Sequence, residues 1–197
     1  MRFKVFGTLV YISFLFVAVI AFMLATDRTG LVIPTLFASF IHEAGHLFAM
    51  WVCECQPKSI KLIPASVQIT RGFSTKPNGE VAVSLCGPIA NLVVFAVLLI
   101  NYLFFKNITV LTFAILNLIL CIFNLLPVSG LDGGTLLTIF IAKNTDLYKA
   151  QGIVRIITAV MSAVVFVLGV YMWTCGKFNI SVFIVAVYLL MCCMLKM

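Results

Sequence analysis

The chain has 197 residues, of which 63% are hydrophobic and only 10% are charged, and its 13 Lys and Arg against 6 Asp and Glu give a net charge of +7. An average soluble domain is about 45–50% apolar and about 25% charged, so this chain has too few polar residues for a water-facing surface. The composition excludes a soluble enzyme, a disordered tail and a nucleic-acid-binding domain, and it predicts an integral membrane protein in contact with the lipid bilayer.

Apolar runs long enough to cross a membrane, which takes about 20 residues, occur at six places. They cover approximately 5–25, 31–51, 81–104, 108–126, 153–174 and 179–195. A shorter apolar piece, Leu131–Ala142, follows Pro127 and Gly130, which break helices, so we interpret it as the second half of a broken fourth helix. We therefore predict an all-α polytopic membrane protein with one domain over 1–197, a core at about 31–142 and three peripheral helices.

The longest hydrophilic stretch, residues 54–80, predicts a small β-hairpin at the membrane surface between the second and third helices. It contains two short alternating or β-branched runs, 58–63 and 66–70, with Pro64 between them. The alternative is a basic loop that lies on anionic lipid, and the sequence allows both.

The distribution of basic residues predicts that both termini are cytoplasmic. With the amino terminus inside, ten Lys and Arg lie at inner ends of the spans and three at outer ends. The inner ones are Arg2, Lys4, Lys58, Lys61, Arg71, Lys76, Lys143, Lys149, Arg155 and Lys196, and the outer ones are Arg28, Lys106 and Lys177. Since no organellar targeting segment is recognised, we expect a bacterial plasma membrane.

Ionisable side chains at membrane depth are costly, so each one is a candidate for function. Of the six acids, only Glu43 and Asp132 fall inside apolar segments, and the two histidines of the chain, His42 and His46, lie on either side of Glu43. On a helix, positions i and i+4 share a face, so both imidazoles can bind one Zn²⁺. Glu43 is then close enough to act as general base without being a ligand.

Asp132 is the candidate third metal ligand. A catalytic zinc usually has three protein ligands and one open position. The alternative role for Asp132 is the N-cap of the helix that resumes after the break. Charge favours the ligand role, because Zn²⁺ and two carboxylates sum to zero in a medium where each alone is costly.

A third string, Gly87-Pro-Ile-Ala-Asn91, opens the third span. Taken alone, Gly87 and Pro88 are explained by close helix packing and by a helix start.

In this order the three strings resemble the site-2 protease family of intramembrane zinc metalloproteases, over about residues 31–142. The family's H-E-x-x-H is matched at His42–His46, its G-P-x-x-N at Gly87–Asn91, and its N-x-x-P-x-x-x-L-D-G-G at Asn124–Gly134. The six spans and the short basic insertion before Gly87 are similar to the minimal sporulation-type branch, without the CBS or PDZ domain of other relatives.

The resemblance implies cleavage of a peptide bond in or near a transmembrane segment of a membrane protein substrate, with release of a cytosolic fragment. It implies Zn²⁺ as cofactor, Glu43 as the catalytic residue, and Asn91 and Asn124 as groups that hold the substrate or the oxyanion. Membrane-protein regulators and a homo-oligomer are further candidate partners. Two other functions remain open, a membrane metal-ion transporter and a catalytically inactive scaffold that binds membrane proteins.

Overall fold

The computed structural model describes residues 2–5, 8–55, 57–63, 66–71, 79–176 and 180–194. They divide into two compact units, Met1–Ile122 and Phe123–Met197. Pro64, Lys76, Lys177 and Lys196, on which sequence expectations rest, lie outside the described residues. The elements in chain order are β1 (Arg2–Val5), β2 (Thr8–Ile12), α1 (Phe14–Thr26), α2 (Val32–Val52), β3 (Pro57–Ile63), β4 (Ser66–Arg71), α3 (Gly79–Phe105), α4 (Ile108–Asn124), α5 (Asp132–Ala142), α6 (Leu147–Thr174) and α7 (Ile180–Met194).

The first unit contains a four-stranded sheet, larger than the small hairpin expected from the sequence. Its order is β1-β2-β3-β4, with β2 and β3 parallel and the other two pairs antiparallel. The chain is mostly helical, as the sequence predicts, but the first predicted helix over 5–25 has the wrong bounds, because residues 8–12 form a strand and α1 begins at Phe14. A short apolar run rich in β-branched residues fits a strand or a helix equally by periodicity, and pairing with β3 decided the outcome.

The other helices begin and end close to the predicted apolar segments, with one exception. Helix α6 begins at Leu147, whereas the apolar run begins at 153. Residues 147–152 include Lys149, Gln151 and Gly152, and Lys149 lies 3.4 Å from Asp146 in a surface ion pair, so a search for long apolar runs leaves out this end of the helix. The predicted break in the fourth helix is present between α4 and α5, where Gly130 has a φ of +103° that disfavours other residues.

Among the described helices, α3 and α6 are the two that are long and apolar enough to span a membrane. The buried residues of α3 all lie within Gly79–Asn91, whereas its second half carries exposed apolar side chains such as Phe104 and Phe105. Large exposed apolar surfaces mark contact with lipid or partners. Two long apolar helices with exposed apolar side chains are the features expected of a membrane protein.

In the first unit, the core lies where α2 packs against α3. Ala49, Met50 and Val83 are buried together there, and Cys86 packs against them. The two helices approach closely at Gly45, because a Cβ on that residue would lie 2.5 Å from the carbonyl oxygen of Cys86. This close approach fixes the register of α2 against α3.

In the second unit, the core lies between the segment before α5 and helix α7. Val128, Leu131 and Leu189 are buried together. The hydroxyl of Ser162 donates a hydrogen bond of 2.9 Å to the carbonyl of Ala186, which ties α6 to α7.

Asp27 organises the loop that precedes α2. Its Oδ1 accepts hydrogen bonds from the backbone N–H groups of Thr29 and Gly30, each at 2.9 Å, and from the Thr29 hydroxyl at 2.8 Å. Its Oδ2 accepts from the Val32 N–H at 3.0 Å. The Val32 N–H and the Thr29 hydroxyl are the largest causes that hold the pKa of Asp27 below its ordinary value.

Candidate metal centre

Helix α2 presents both histidines on one buried face. The side chains of His42 and His46 are each only 5% exposed, and their Nε2 atoms lie 3.1 Å apart with the ring planes at 90°. Two nitrogen ligands about 2.0–2.1 Å from a tetrahedral Zn²⁺ are about 3.3 Å apart. The pair therefore fits two ligand positions of one metal ion.

A backbone carbonyl on the neighbouring helix holds the ring of His46. The Nδ1 of His46 lies 2.7 Å from the carbonyl oxygen of Val83 in α3. Because a carbonyl only accepts, Nδ1 carries the proton and donates it, which leaves the lone pair on Nε2. A hydrogen bond of this kind is the usual support of a metal-binding histidine.

Gly87 leaves the space that the two imidazoles occupy. A Cβ at this position would lie 2.5 Å from the Nε2 of His46 and 2.9 Å from the Cε1 of His42. Pro88 lies well inside α3 and not at its start, so the helix-start interpretation of this string is wrong. The string therefore forms the wall of the histidine site.

Asn91 lies on the same face of α3, one turn beyond Gly87. Its side chain is fully buried, and its Nδ2 lies 3.5 Å from the Nδ1 of His42. Its Oδ1 has no hydrogen-bond partner within the described part of the chain. The structure thus brings His42, His46, Gly87 and Asn91 together.

Glu43 follows His42 directly on α2. It lies one residue further round the helix and is half-buried, whereas both histidines are buried. This is the position that the sequence predicts for a general base beside the metal ligands.

Asp132 and Asn124 belong to the second unit, where both are half-buried. Asn124 is the last residue of α4. Asp132 is the first residue of α5, and the N-cap position is taken by Leu131, whose carbonyl accepts the first helical hydrogen bond from Thr135 at 3.1 Å. The structure therefore does not support the N-cap role for Asp132, although the helix dipole still favours a carboxylate in this first turn.

The turn before α5 packs directly against the two glycines that follow Asp132. A Cβ on Gly133 would meet the carbonyls of Leu125 and Leu126, and one on Gly134 would meet the carbonyl of Val128. Thr158 on α6 accepts a hydrogen bond of 2.7 Å from the Ser129 N–H. The start of α5 is thus fixed by close contacts of backbone with backbone and by the Thr158 hydroxyl.

Sequence reasoning missed two contributors to these arrangements, the Val83 carbonyl and Thr158. The Val83 carbonyl cannot be recognised from the sequence, because every residue has a backbone carbonyl. The role of Thr158 cannot be recognised either, since its hydrogen-bond partner Ser129 is 29 residues away in the sequence. The spacing of Gly87 and Asn91 offered a signal, because residues four apart share one face of a helix.

A helix that carries H-E-x-x-H, with two imidazoles turned towards one point, is the arrangement typical of the zinc-binding helix of a metallopeptidase. The model of "Peptidase family M50" matches residues 105–168, the part that contains Asn124 and Asp132. A zinc metalloprotease of Methanocaldococcus jannaschii is 27% identical over 155 residues, which are 76% of this chain and 45% of that protein. The chain thus spans less than half the length of this curated relative.

A solved structure, a site-2 protease from Methanocaldococcus jannaschii, has the same fold. It matches with a TM-score of 0.75 and 25% sequence identity, over 98% of this chain and 93% of that chain. The family model, the curated relative and the solved structure together support the M50 site-2 protease family for this chain.

Proposed function

We propose that the chain is an intramembrane zinc metalloprotease that hydrolyses a peptide bond in or near a transmembrane segment of a membrane protein. The observation that carries this proposal is the pair of Nε2 atoms of His42 and His46, 3.1 Å apart, with Glu43 next to His42 on the same helix. The printed names of the two relatives, a zinc metalloprotease and a site-2 protease, support the choice of metal and reaction.

His42, His46 and Asp132 are the proposed zinc ligands. Each offers one ligand atom, and two imidazoles with one carboxylate are a donor set typical of catalytic zinc. Asp132 is supported by its place in an apolar segment, by the charge balance with the metal, and by the presence of Leu131 at the N-cap. A loaded site would lower the pKa of a water to about 7 and polarise the scissile carbonyl.

Glu43 moves the protons of the reaction. It accepts a proton from the water that attacks the scissile carbonyl, and it donates that proton to the nitrogen of the breaking peptide bond. The products are a carboxylic acid and an amine, which exchange one proton to become a carboxylate and an ammonium group, so Glu43 ends the cycle in its starting form.

A transmembrane substrate helix hides its carbonyls in its own hydrogen bonds, so it must unwind before attack. Strand β4 is an edge of the four-stranded sheet, and an extended substrate segment could add to such an edge. Asn124 and Asn91 are the groups that the family resemblance assigns to the substrate or the oxyanion.

Six membrane crossings with both termini in the cytoplasm are part of the proposal, with cleavage at the cytoplasmic side and release of a cytosolic fragment. The test is impermeant maleimide on intact cells and inverted vesicles, with single cysteines at Arg28 and Asn144 in a background without native thiols. Both residues are exposed and lie in loops. We expect Arg28→Cys to react from outside and Asn144→Cys from inside, and the reverse pattern would overturn the orientation.

The reaction itself is tested with purified protein in lipid discs. The substrate is a labelled reporter peptide with one transmembrane helix, which Gly and Pro residues destabilise. Glu43→Gln should keep bound zinc and lose nearly all cleavage, because an amide cannot accept the proton. Glu80→Gln is the matched control, since Glu80 is an exposed carboxylate in the first turn of α3. Cleavage by Glu43→Gln at the wild-type rate would refute the mechanism.

Two ligand variants separate the protease from the alternatives. His46→Ala and Asp132→Ala should each lose zinc and cleavage together. A transporter would instead carry Zn²⁺ across vesicles without cleaving the reporter, and an inactive scaffold would bind the reporter without cleaving it.

A further inference from the structure

Ser84 is a polar residue in the buried part of α3 to which the metal centre gives no role. Its side chain is fully buried, and its Oγ has no hydrogen-bond partner among the described residues. A serine hydroxyl on a helix commonly donates to the carbonyl four residues earlier, which here is that of Glu80, but Ser84 makes no such bond. Because a buried hydroxyl without a partner is costly, we expect a ligand that can both donate and accept a hydrogen bond.

Two buried hydroxyls of α6 show how such groups are otherwise satisfied in this chain. Thr158 donates to the Val154 carbonyl of its own helix at 2.8 Å. Ser162, which is as fully buried as Ser84, donates to the Ala186 carbonyl of α7 at 2.9 Å. Both hydroxyls thus have a protein carbonyl as partner, whereas the Ser84 hydroxyl has none in the described part of the chain.

Pro88 deprives a second atom of Ser84 of its usual partner. Pro88 lies inside α3 and is fully buried. A proline has no N–H, so it cannot donate to the carbonyl four residues earlier, which is that of Ser84, and its ring pushes that carbonyl aside. Ser84 therefore carries two oxygens that the regular helix does not satisfy, one in the side chain and one in the backbone.

We propose that Ser84 binds one buried water molecule through its hydroxyl and its carbonyl oxygen. A buried water needs at least two polar partners, and two oxygens of one residue always lie within the roughly 5.5 Å that a single water can bridge. Ordered water is one of the groups that satisfy the carbonyls freed by proline inside membrane helices. The Ser84 hydroxyl makes no direct bond to that carbonyl, so the water joins the two.

The water site lies next to the wall of the histidine site. Val83, the residue before Ser84, supplies the carbonyl that lies 2.7 Å from the Nδ1 of His46, and Gly87, one turn further on, borders both imidazoles. The water replaces the helical hydrogen bond lost at Pro88, and so it holds these two parts of α3 together. The site needs neither a metal nor a reaction, so its test is independent of the proposed function.

The direct test is magnetisation transfer from water to ¹³C-labelled serine, measured by solid-state NMR on the wild-type protein in lipid bilayers. We expect a water contact at the Cβ of Ser84 and none at the Cβ of Ser162, which is the matched buried helix serine with a protein partner. The variants Ser84→Ala and Ser162→Ala assign the two signals. No water contact at Ser84, or an equal contact at Ser162, would overturn the proposal.

A double-variant cycle tests whether the water joins the two oxygens. Pro88→Ala restores an N–H that donates to the Ser84 carbonyl, and the water then loses one of its two partners. Ser84→Ala should lower the melting temperature by about 2–4 °C in the wild-type background, and by less than half of that in the Pro88→Ala background. Equal decreases in the two backgrounds would show that the two oxygens share no water, which contradicts the proposal.

The direction of the change in Ser84→Ala separates the water from two other states of the hydroxyl. A hydroxyl with no partner at all would make Ser84→Ala more stable than wild type, because alanine removes an unsatisfied group. A hydroxyl that turns to the Glu80 carbonyl would lower the melting temperature without any water contact in the NMR experiment. Either result would overturn the proposal, and the wild-type NMR measurement decides it even if Pro88→Ala does not fold.

Discussion

Gly87 and the pair Gly133 and Gly134 both leave space where other residues have a Cβ atom, but different groups fill that space. At Gly87 the space left by the missing Cβ is filled by the rings of His42 and His46, which are side chains. At Gly133 and Gly134 it is filled by carbonyl groups of residues 125–128, which are backbone. The first glycine shapes a ligand site between two regular helices, whereas the other two shape the turn from which α5 begins.

The two sites should therefore respond differently to an added methyl group. Imidazole rings can rotate away from an added methyl group, so the helices around Gly87 survive while the ligand geometry is lost. Carbonyls in a tight turn cannot move without shifting the chain, so a methyl group there disrupts the fold itself. Of the four predictions that follow, the first three test this contrast, and the fourth concerns the loop that Asp27 organises.

Gly134→Ala should have the largest effect, because the new Cβ would overlap the Val128 carbonyl. We expect a loss of more than about 3 kcal/mol, at the upper end of the overpacking range, seen as loss of folded protein in detergent. Gly152→Ala in α6 is the control, since its Cβ would meet nothing within 4 Å. It should raise stability by about 0.5–1 kcal/mol. A Gly134→Ala protein as stable as wild type would show that the turn accommodates a Cβ next to the Val128 carbonyl.

Gly87→Ala should lower zinc affinity by about 10–100-fold while the protein remains folded, because the imidazoles must turn from their common point. Chelator competition and a melting curve on the same sample measure the two effects. Val93→Ala, on an exposed part of the same helix, should change neither. Unchanged zinc affinity in Gly87→Ala would show that the rings have room to spare.

Thr158→Val should destabilise the second unit by about 1 kcal/mol, because the part-buried N–H of Ser129 loses its acceptor. Thr138→Val is the control, since that hydroxyl donates only to the Gly134 carbonyl of its own helix, and it should cost less. Chemical unfolding of both variants checks this. If the two variants unfold alike, the hydrogen bond to Ser129 does not hold the turn.

Asp27→Asn should have the smallest effect, a lower melting temperature near neutral pH. The folded pKa of Asp27 lies below its ordinary value, so its stabilisation is complete above the ordinary pKa and is lost as the pH falls through the folded pKa. The difference from wild type should therefore shrink below about pH 4. Asp146→Asn, at a helix start without a side-chain cap, should show a smaller change at neutral pH. A difference that persists unchanged in acid would exclude the carboxylate as its source.

The sequence alone determined most of the helices, because long apolar runs have few stable alternatives in a membrane. It determined the facing pair His42 and His46 as well, since a spacing of four residues fixes a common face whatever surrounds the helix. It also located the break before Asp132, because Pro127 and Gly130 disfavour a continuous helix.

Tertiary structure alone decided the rest. Residues 8–12 form a strand because they pair with β3. The sequence of residues 8–12 does not reveal that this partner is available. The support of His46 by the Val83 carbonyl was equally hidden. Each depends on atoms from a distant part of the chain or on backbone groups that every residue carries, and only the folded chain selects among them.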